Sequence, residues 1–457
     1  MEATDGSKLA IPSNSVCREK EIIMKKDFHN IVCLDKLIAR LIKKNVARLF
    51  ILSALAVALF ATPTTTFANS TVIIGDGPLS ASSATPSSNN PSDSLTSIHM
   101  LDKTHGWALT TNSVLKTADG GLHWQKVIPA NAFGPTTILW SVLQGAFLND
   151  QDAWVVAAVD PAPNGKSAPM NTIMVLRTTN GGQSWQNSII HNPAGSQVDR
   201  PEFINASEGW LQSYGVTPTG NLPAIFHTTN GGQHWNQLGN PNLKDMPNPS
   251  GVYFSNTQNG WEVGHGKLGA QPLLEVTHDG GKTWQNQSLP VLPGAGKSDL
   301  LSTKPPVFSG NNGLLPVEDQ ITPPLGSKSS PSIGLDLYAT HNGGQTWTPT
   351  KLVTSNLTSN GLRISTTYAM DSQHVWGTLG TNLYATSNGG QSWTQLPQPP
   401  QPIDGFSFID LNNGWAISSG NVTASNTKNQ SPNLLHTIDG GHTWQPINYS
   451  IVPPQKV

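Results

Sequence analysis

From residue 96 onward, short apolar runs alternate with polar, glycine-bearing turns, and almost nothing carries the 3.6-residue apolar period of a helix. The first unit sets the pattern. Ile98 to Leu101, Trp107 to Thr110, Val114 to Thr117 and Trp124 to Val127 read as strands, with turns at Asp102 to Gly106 and Asp119 to Leu122. Strands joined by connections this short pair antiparallel, because a parallel pair needs a crossover of a dozen or more residues. Each unit is therefore predicted to be a four-stranded antiparallel meander.

The unit repeats. The octapeptide T-x-[D/N]-G-G-x-x-W occurs seven times, ending at Trp124, Trp185, Trp235, Trp284, Trp347, Trp393 and Trp444, at spacings of 61, 50, 49, 63, 46 and 51 residues. A second phrase, Gly-Trp or its equivalent, opens the second strand at Trp107, Trp154, Trp210, Trp261, Trp376 and Trp415, with Leu314 at that place in the fifth unit. Strand-rich repeats of this period are propeller blades, and closing them into a ring leaves only short protected edges. The predicted fold is an all-β, seven-bladed propeller of four-stranded antiparallel blades over residues 96–450.

The third octapeptide position is Asp119, Asn180, Asn230, Asp279, Asn342, Asn388 and Asp439. Either side chain can accept hydrogen bonds from the backbone that follows it, and the two glycines allow the positive φ of a tight turn. The octapeptide is thus predicted to be scaffold, with its tryptophan packing the outer strand. Trp284→Ala is expected to cost about 3–5 kcal/mol while leaving ligand binding by the folded fraction unchanged.

Composition changes the picture mainly at the N-terminus. A basic segment (Lys43, Lys44, Arg48) precedes an uncharged run from Leu49 to Ala61, and Thr66-Phe67-Ala68 supplies the small residues of a cleavage site. The run is shorter than the roughly 20 residues of a membrane span, so residues 1–68 read as an export leader; the alternative is an uncleaved anchor. Met24 is an alternative start. Residues 69–95, rich in Ser, Pro and Asn, read as a disordered linker, with Thr71 to Ile74 a minor strand candidate. Removing the leader removes both cysteines, Cys17 and Cys33, and takes the formal net charge from −2 to −6. The exported domain then has no disulfide or thiolate chemistry, and its acidity argues against nucleic acid or an anionic membrane as partner.

Thr117 to Trp124 and Thr277 to Trp284 resemble the Asp-box, or bacterial neuraminidase repeat. In combination with the Gly-Trp strand in seven single-domain repeats, residues 96–450 look most like the photosystem II stability and assembly factor family. That resemblance implies an exported assembly propeller with an arginine-rich partner surface; a monomer without a cofactor is expected. Here only Arg177, Arg200 and Arg363 follow the leader.

A sialidase would need three arginines converging at the central mouth, and a Tyr-Glu pair there. Arg200 and Arg363 precede inner strands, whereas Arg177 lies on a third strand, and no glutamate is near Tyr253 or Tyr368 in sequence. A glycosidase with paired carboxylates at that mouth is the alternative reading. The box histidines (His123, His234, His278, His341, His442) follow the blades and do not converge as metal ligands would. No catalytic residue, cofactor or metal site is therefore assigned.

Strand order places every octapeptide on one face. The opposite face carries the blade-to-blade links and the longer connections Asp160 to Asn171, Val216 to Pro223, Glu318 to Gly334 and Ser419 to Asn433. Variable loops on a rigid scaffold are where recognition is built. The expected binding surface, for a protein or an extracellular glycan, is centred on Trp140, Arg200, Lys304, Arg363 and Asp404.

Overall fold

The computed structural model describes residues 94–453 apart from 130–131, 133–136, 139–142, 161–171, 193–196, 218–219, 239–247, 266–271, 294–299, 322–331, 357–365 and 419–432. The leader, most of the linker and the Thr71 to Ile74 candidate lie outside the described residues. All regular structure among those described is β-strand, arranged as seven blades of antiparallel strands in a propeller.

Blade 1 comprises Ser97–Met100, Gly106–Leu109, Val114–Thr117 and His123–Lys126, within one residue of the strands read from the sequence. Blades 6 and 7 follow the same scheme, beginning at Thr367–Ala369 and Gly405–Phe408. In blades 2, 3 and 5 the innermost position is split between two short strands that both pair with the second strand. The sheets of blades 4 and 5 touch through the pair His265↔Ser302, so they form one continuous ladder.

The ring closes between blades 7 and 1. The Met100 backbone N–H donates to Ser407 Oγ at 2.8 Å, and the Trp415 indole N–H donates to Gly120 O at 2.9 Å. Ser450–Val452 then pairs in parallel with His123–Lys126, so the C-terminal strand covers the outer edge of the first blade. An exposed edge of unpaired N–H and C=O groups is thereby removed.

The turn chemistry of the octapeptides is as expected. In blade 1, Thr117 Oγ1 donates to Asp119 Oδ1 at 2.9 Å, and that oxygen also accepts the His123 backbone N–H at 3.0 Å. Asn180, Asn230, Asn342 and Asn388 accept the equivalent pair of bonds through Oδ1. Asn therefore replaces Asp without loss of these two capping bonds, which fall on the one oxygen type that both side chains possess. Gly120 and Gly121 sit at φ 76° and 95°, and all seven pairs are left-handed in the same way.

The main seam between blades uses a different tryptophan from the one expected. Trp154 is fully buried, stacks on Phe203 at 3.7 Å and donates its indole N–H to Gly231 O of the next blade's octapeptide at 2.8 Å. Trp210 does the same with Phe254 and Gly280 O, and Trp376 with Phe408 and Gly440 O. The Gly-Trp phrase of one blade thus locks onto the octapeptide of its successor. The octapeptide tryptophans are more varied: Trp124, Trp284, Trp347 and Trp444 are buried, whereas Trp185, Trp235 and Trp393 are only half-buried. Leu314 takes the Gly-Trp place in blade 5 at 1% exposure.

One glycine tests this packing. Gly344 has φ 83°, and a Cβ there would lie 2.6 Å from the Trp261 ring of the preceding blade. Gly344→Ala combines backbone strain with overpacking and is expected to lose about 2 kcal/mol or more. Chemical denaturation checks this. Gly380→Ala, at φ 63° with nothing within 4 Å, isolates the backbone contribution.

Candidate functional site

Each inner strand is entered from the face opposite the octapeptides, and the entry segments surround a cavity of about 1200 Å³. Blade 3 contributes Asp199, Arg200 and Glu202; blade 4, Ser250 to Tyr253; blade 5, Lys304 to Val307 with Pro316 and Glu318; blade 6, Thr366 to Ala369. Gln144 of blade 2 and Asp404 of blade 7 complete the described wall. Arg200, Lys304 and Asp404, singled out from the sequence, are brought together on it. Trp140 and Arg363 lie outside the described residues.

The connections expected to form the recognition face fare unevenly. Residues 161–171, 322–331 and 419–432 lie outside the described residues. Val216 to Pro223 is not a loop: Gly209–Thr217 and Gly220–Thr228 pair through to Thr217↔Gly220 as one long hairpin. Glu318 and Gly334, taken as loop ends, are strand residues, paired with Leu335 and Asp319 respectively. In Ser332-Ile333-Gly334-Leu335-Asp336-Leu337 an apolar residue at every second position continues the strand period beyond the expected boundary.

The cavity wall carries carboxyl groups from blades 3, 5 and 7. Burial pushes Asp199 up to about 7, against the opposing pull of Lys304. Burial likewise raises Glu202 to about 7, with Arg200 opposing. Lys304 Nζ lies 3.6 Å from Glu318 Oε2, and that carboxyl is also raised by burial despite the pairing. One lysine therefore stands between carboxyls of blades 3 and 5. Tyr253 is pushed up to about 12 by burial and then by Glu202, so a glutamate absent from its sequence neighbourhood reaches it across the seam between blades 3 and 4. Tyr368 donates its hydroxyl to Phe408 O at 2.9 Å. On the blade 1 side, burial and then Arg200 hold His99 down at about 4, so its imidazole is neutral near neutrality.

Arg177 has a different place. Its guanidinium donates to Asn230 O and Ala206 O, both at 3.3 Å, and lies 5.9 Å from the Trp154 ring centroid. It fastens blade 2 to blade 3 and is not on the central wall. The box histidines are engaged within their own blades: His123 Nδ1 lies 2.6 Å from Asp119 Oδ2 in the same turn, and His278 Nδ1 lies 2.8 Å from Asn259 Oδ1 in the neighbouring turn. Among the described residues no cluster of His, Cys, Asp and Glu is arranged to hold a metal ion.

Asp199 and Glu202 were missed in the sequence although they flank Arg200. The signal was the segment Asp199-Arg200-Pro201-Glu202 itself, an acid-base-acid run at the entry to an inner strand.

No protein-family model matches the chain, and no curated protein matches it. Solved structures do. YCF48 bound to D1 peptide is 16% identical, with 77% of this chain and 97% of that chain covered at a TM-score of 0.45. An α-L-arabinofuranosidase of Fusarium graminearum in complex with arabinobiose is 12% identical over 66% and 93% of the two chains, at a TM-score of 0.38. A polysaccharide lyase, ulvanlyase, is 11% identical over 66% and 81%, at 0.41. At these identities and TM-scores none of them says what this chain does. Propellers host many activities, so function has to be argued from the cavity.

Proposed function

We propose that the chain is an exported propeller that acts as a monomer and binds an extended polar polymer, an extracellular glycan or a peptide segment of a partner protein, in the central cavity, without chemistry of its own. In this reading residues 1–68 are the export leader, 69–95 the tether and 96–450 the binding body. The cavity carries the proposal. At about 1200 Å³ it exceeds the ~300–1000 Å³ of pockets that enclose a small molecule, and six blades contribute to its wall. Mixed carboxyl, cationic and tyrosine groups suit a ligand with many hydrogen-bonding groups along its length. The octapeptides' resemblance to Asp-boxes of the photosystem II stability and assembly factor family supports the peptide arm, as an assembly scaffold.

The test is to apply labelled protein to an oligosaccharide array and to an array of overlapping peptides from cell-envelope proteins. Wild type should be retained on one of them. Arg200→Ala, at an exposed side chain, should lose at least about tenfold in signal with its melting temperature unchanged. Silence on both arrays, or equal retention of Arg200→Ala, sinks the proposal.

A glycosidase is the second reading, favoured by the carboxyls themselves. Asp199 and Glu202, each near 7, are placed to donate protons close to neutrality, while Glu318 and Asp404 face the same cavity from blades 5 and 7. It predicts release of reducing sugar from a retained glycan, abolished in Glu202→Gln. Intact glycan after prolonged incubation rejects it.

A further inference from the structure

Away from the cavity surface, three side chains meet in the seam between blades 3 and 4. Gln212 comes from Gly209–Thr217, Glu262 from Gly260–His265 and Glu275 from Leu273–Thr277. Gln212 and Glu262 are 0% exposed and Glu275 4%. Glu262 and Glu275 stand directly opposite each other in the antiparallel register, while Val252 faces Glu262 from the other side. Like charges so placed repel, and burying even one carboxylate costs several kcal/mol unless it is well paired.

The hydrogen bonding is half complete. Gln212 Nε2 donates to Glu262 Oε1, but Glu262 Oε2 and Gln212 Oε1 have no partner among the described residues. An ionised Glu262 cannot repair this, because both remaining atoms are acceptors. A proton on Oε2 supplies the missing donor and closes a two-bond pair between the acid and the amide. Burial, Glu275 and then Asp199 all favour that protonated state, against the Gln212 bond.

The other titratable groups on strands around this contact are committed elsewhere or of the wrong kind to neutralise it. His227 in blade 3 pairs with Glu208 at 2.6 Å, Lys304 lies by Glu318, and Tyr214 and Tyr253 are phenols raised by burial and by Asp199 and Glu202 respectively. Asp199 adds a further acid, on the cavity wall.

We propose that Gln212, Glu262 and Glu275 form a proton-operated latch between blades 3 and 4, closed in acid and released as the pH rises. With the proton in place the two blades share a complete amide–acid contact. Its loss leaves a buried charge facing another acid and an amide oxygen without a donor, and the seam opens locally beside the cavity wall. The latch does not depend on which polymer the cavity takes.

Amide hydrogen exchange at pH 5 and pH 8, corrected for the intrinsic pH dependence of exchange, tests it on the full chain. In wild type, peptides covering Gly209–Thr217 and Gly260–His265 should lose at least about tenfold in protection at pH 8, while Gly414–Ile417 in blade 7 keeps its protection. Glu262→Gln, neutral at both pH values, should show equal protection at both. Constant protection in wild type overturns the latch, and so does a loss in Glu262→Gln as large as in wild type. If Glu262→Gln fails to fold, Glu275→Gln serves: without the opposing acid Glu262 gives up its proton more readily, so the loss should move to lower pH, and an unmoved loss overturns the proposal.

Discussion

Trp154→Ala should lower the free energy of unfolding by about 3–5 kcal/mol, clearly more than Trp235→Ala at the same seam. Trp154 is fully buried, and removing it deletes the stack on Phe203 at 3.7 Å and the indole bond to Gly231 O. It also takes away the ring beneath Arg177. Trp235 is half-buried and meets Phe203 edge-on at 5.9 Å, so its loss should cost about 1–2 kcal/mol. Denaturant midpoints of the two variants, with unchanged slopes, measure the difference. If Trp235→Ala proves the more damaging, the locking role belongs to the octapeptide tryptophan and the seam described here is wrong.

The second large effect is on pH. Stability should be greatest near pH 4–5 and should fall as the pH rises towards 8. Asp199, Glu202 and Asp336 are each raised to about 7, Asp336 by burial and then by Asp319, and Glu262 and Glu318 are raised as well. A carboxyl whose folded pKa is raised contributes stability that is fully present below its unfolded value, near 4, and lost as pH rises through its folded value. Asp336 alone, 1% exposed, accounts for a loss on the order of 3 kcal/mol, or about 5 °C in melting temperature.

The acid side has the opposite sign. Asp279 is lowered to about 2, chiefly by the Thr283 hydroxyl, and Asp102 and Asp410 are held below the usual carboxylate range by bonds from His105 and Asn413 respectively. Their contribution is present above about pH 4 and disappears as the pH falls through their folded values. Calorimetric melting between pH 2 and pH 9 should therefore trace a dome with its summit on the acid side of neutrality. A summit at pH 8 would mean that the buried acids are ionised and paired.

The scaffold was legible because its chemistry is local. The octapeptide carries its cap, glycines and tryptophan within eight residues, so Asp119 and Asn180 could be assigned turn roles without knowledge of their neighbours. The seams were not legible in the same way: Trp154 and Gly231 are 77 residues apart, and nothing in either phrase says that one bonds to the next blade's copy of the other. Arg200, Lys304 and Asp404 could be placed because strand order alone puts the starts of inner strands around the axis.

The acids escaped notice for a different reason. Glu262 and Glu275 occupy strand positions where one charged residue breaks an otherwise apolar pattern, and nothing local in the sequence says what faces them. Only the register shows them opposite each other and sealed. Likewise Glu202 and Tyr253 belong to different blades and meet only through the ring.

If the octapeptide face is scaffold and the opposite cavity is the site of function, changes on the two faces should have opposite outcomes for binding. The most direct measurement compares two folded variants on the oligosaccharide and peptide arrays. One replaces Asp119, Asp279 and Asp439 together by Asn, the residue that already caps four of the turns. The other combines Lys304→Ala with Tyr253→Phe on the cavity wall. The triple Asn variant should be retained like wild type, and the cavity variant should be lost from the array with its fold intact. Retention of the cavity variant together with loss of the triple Asn variant would place function on the octapeptide face and contradict the account.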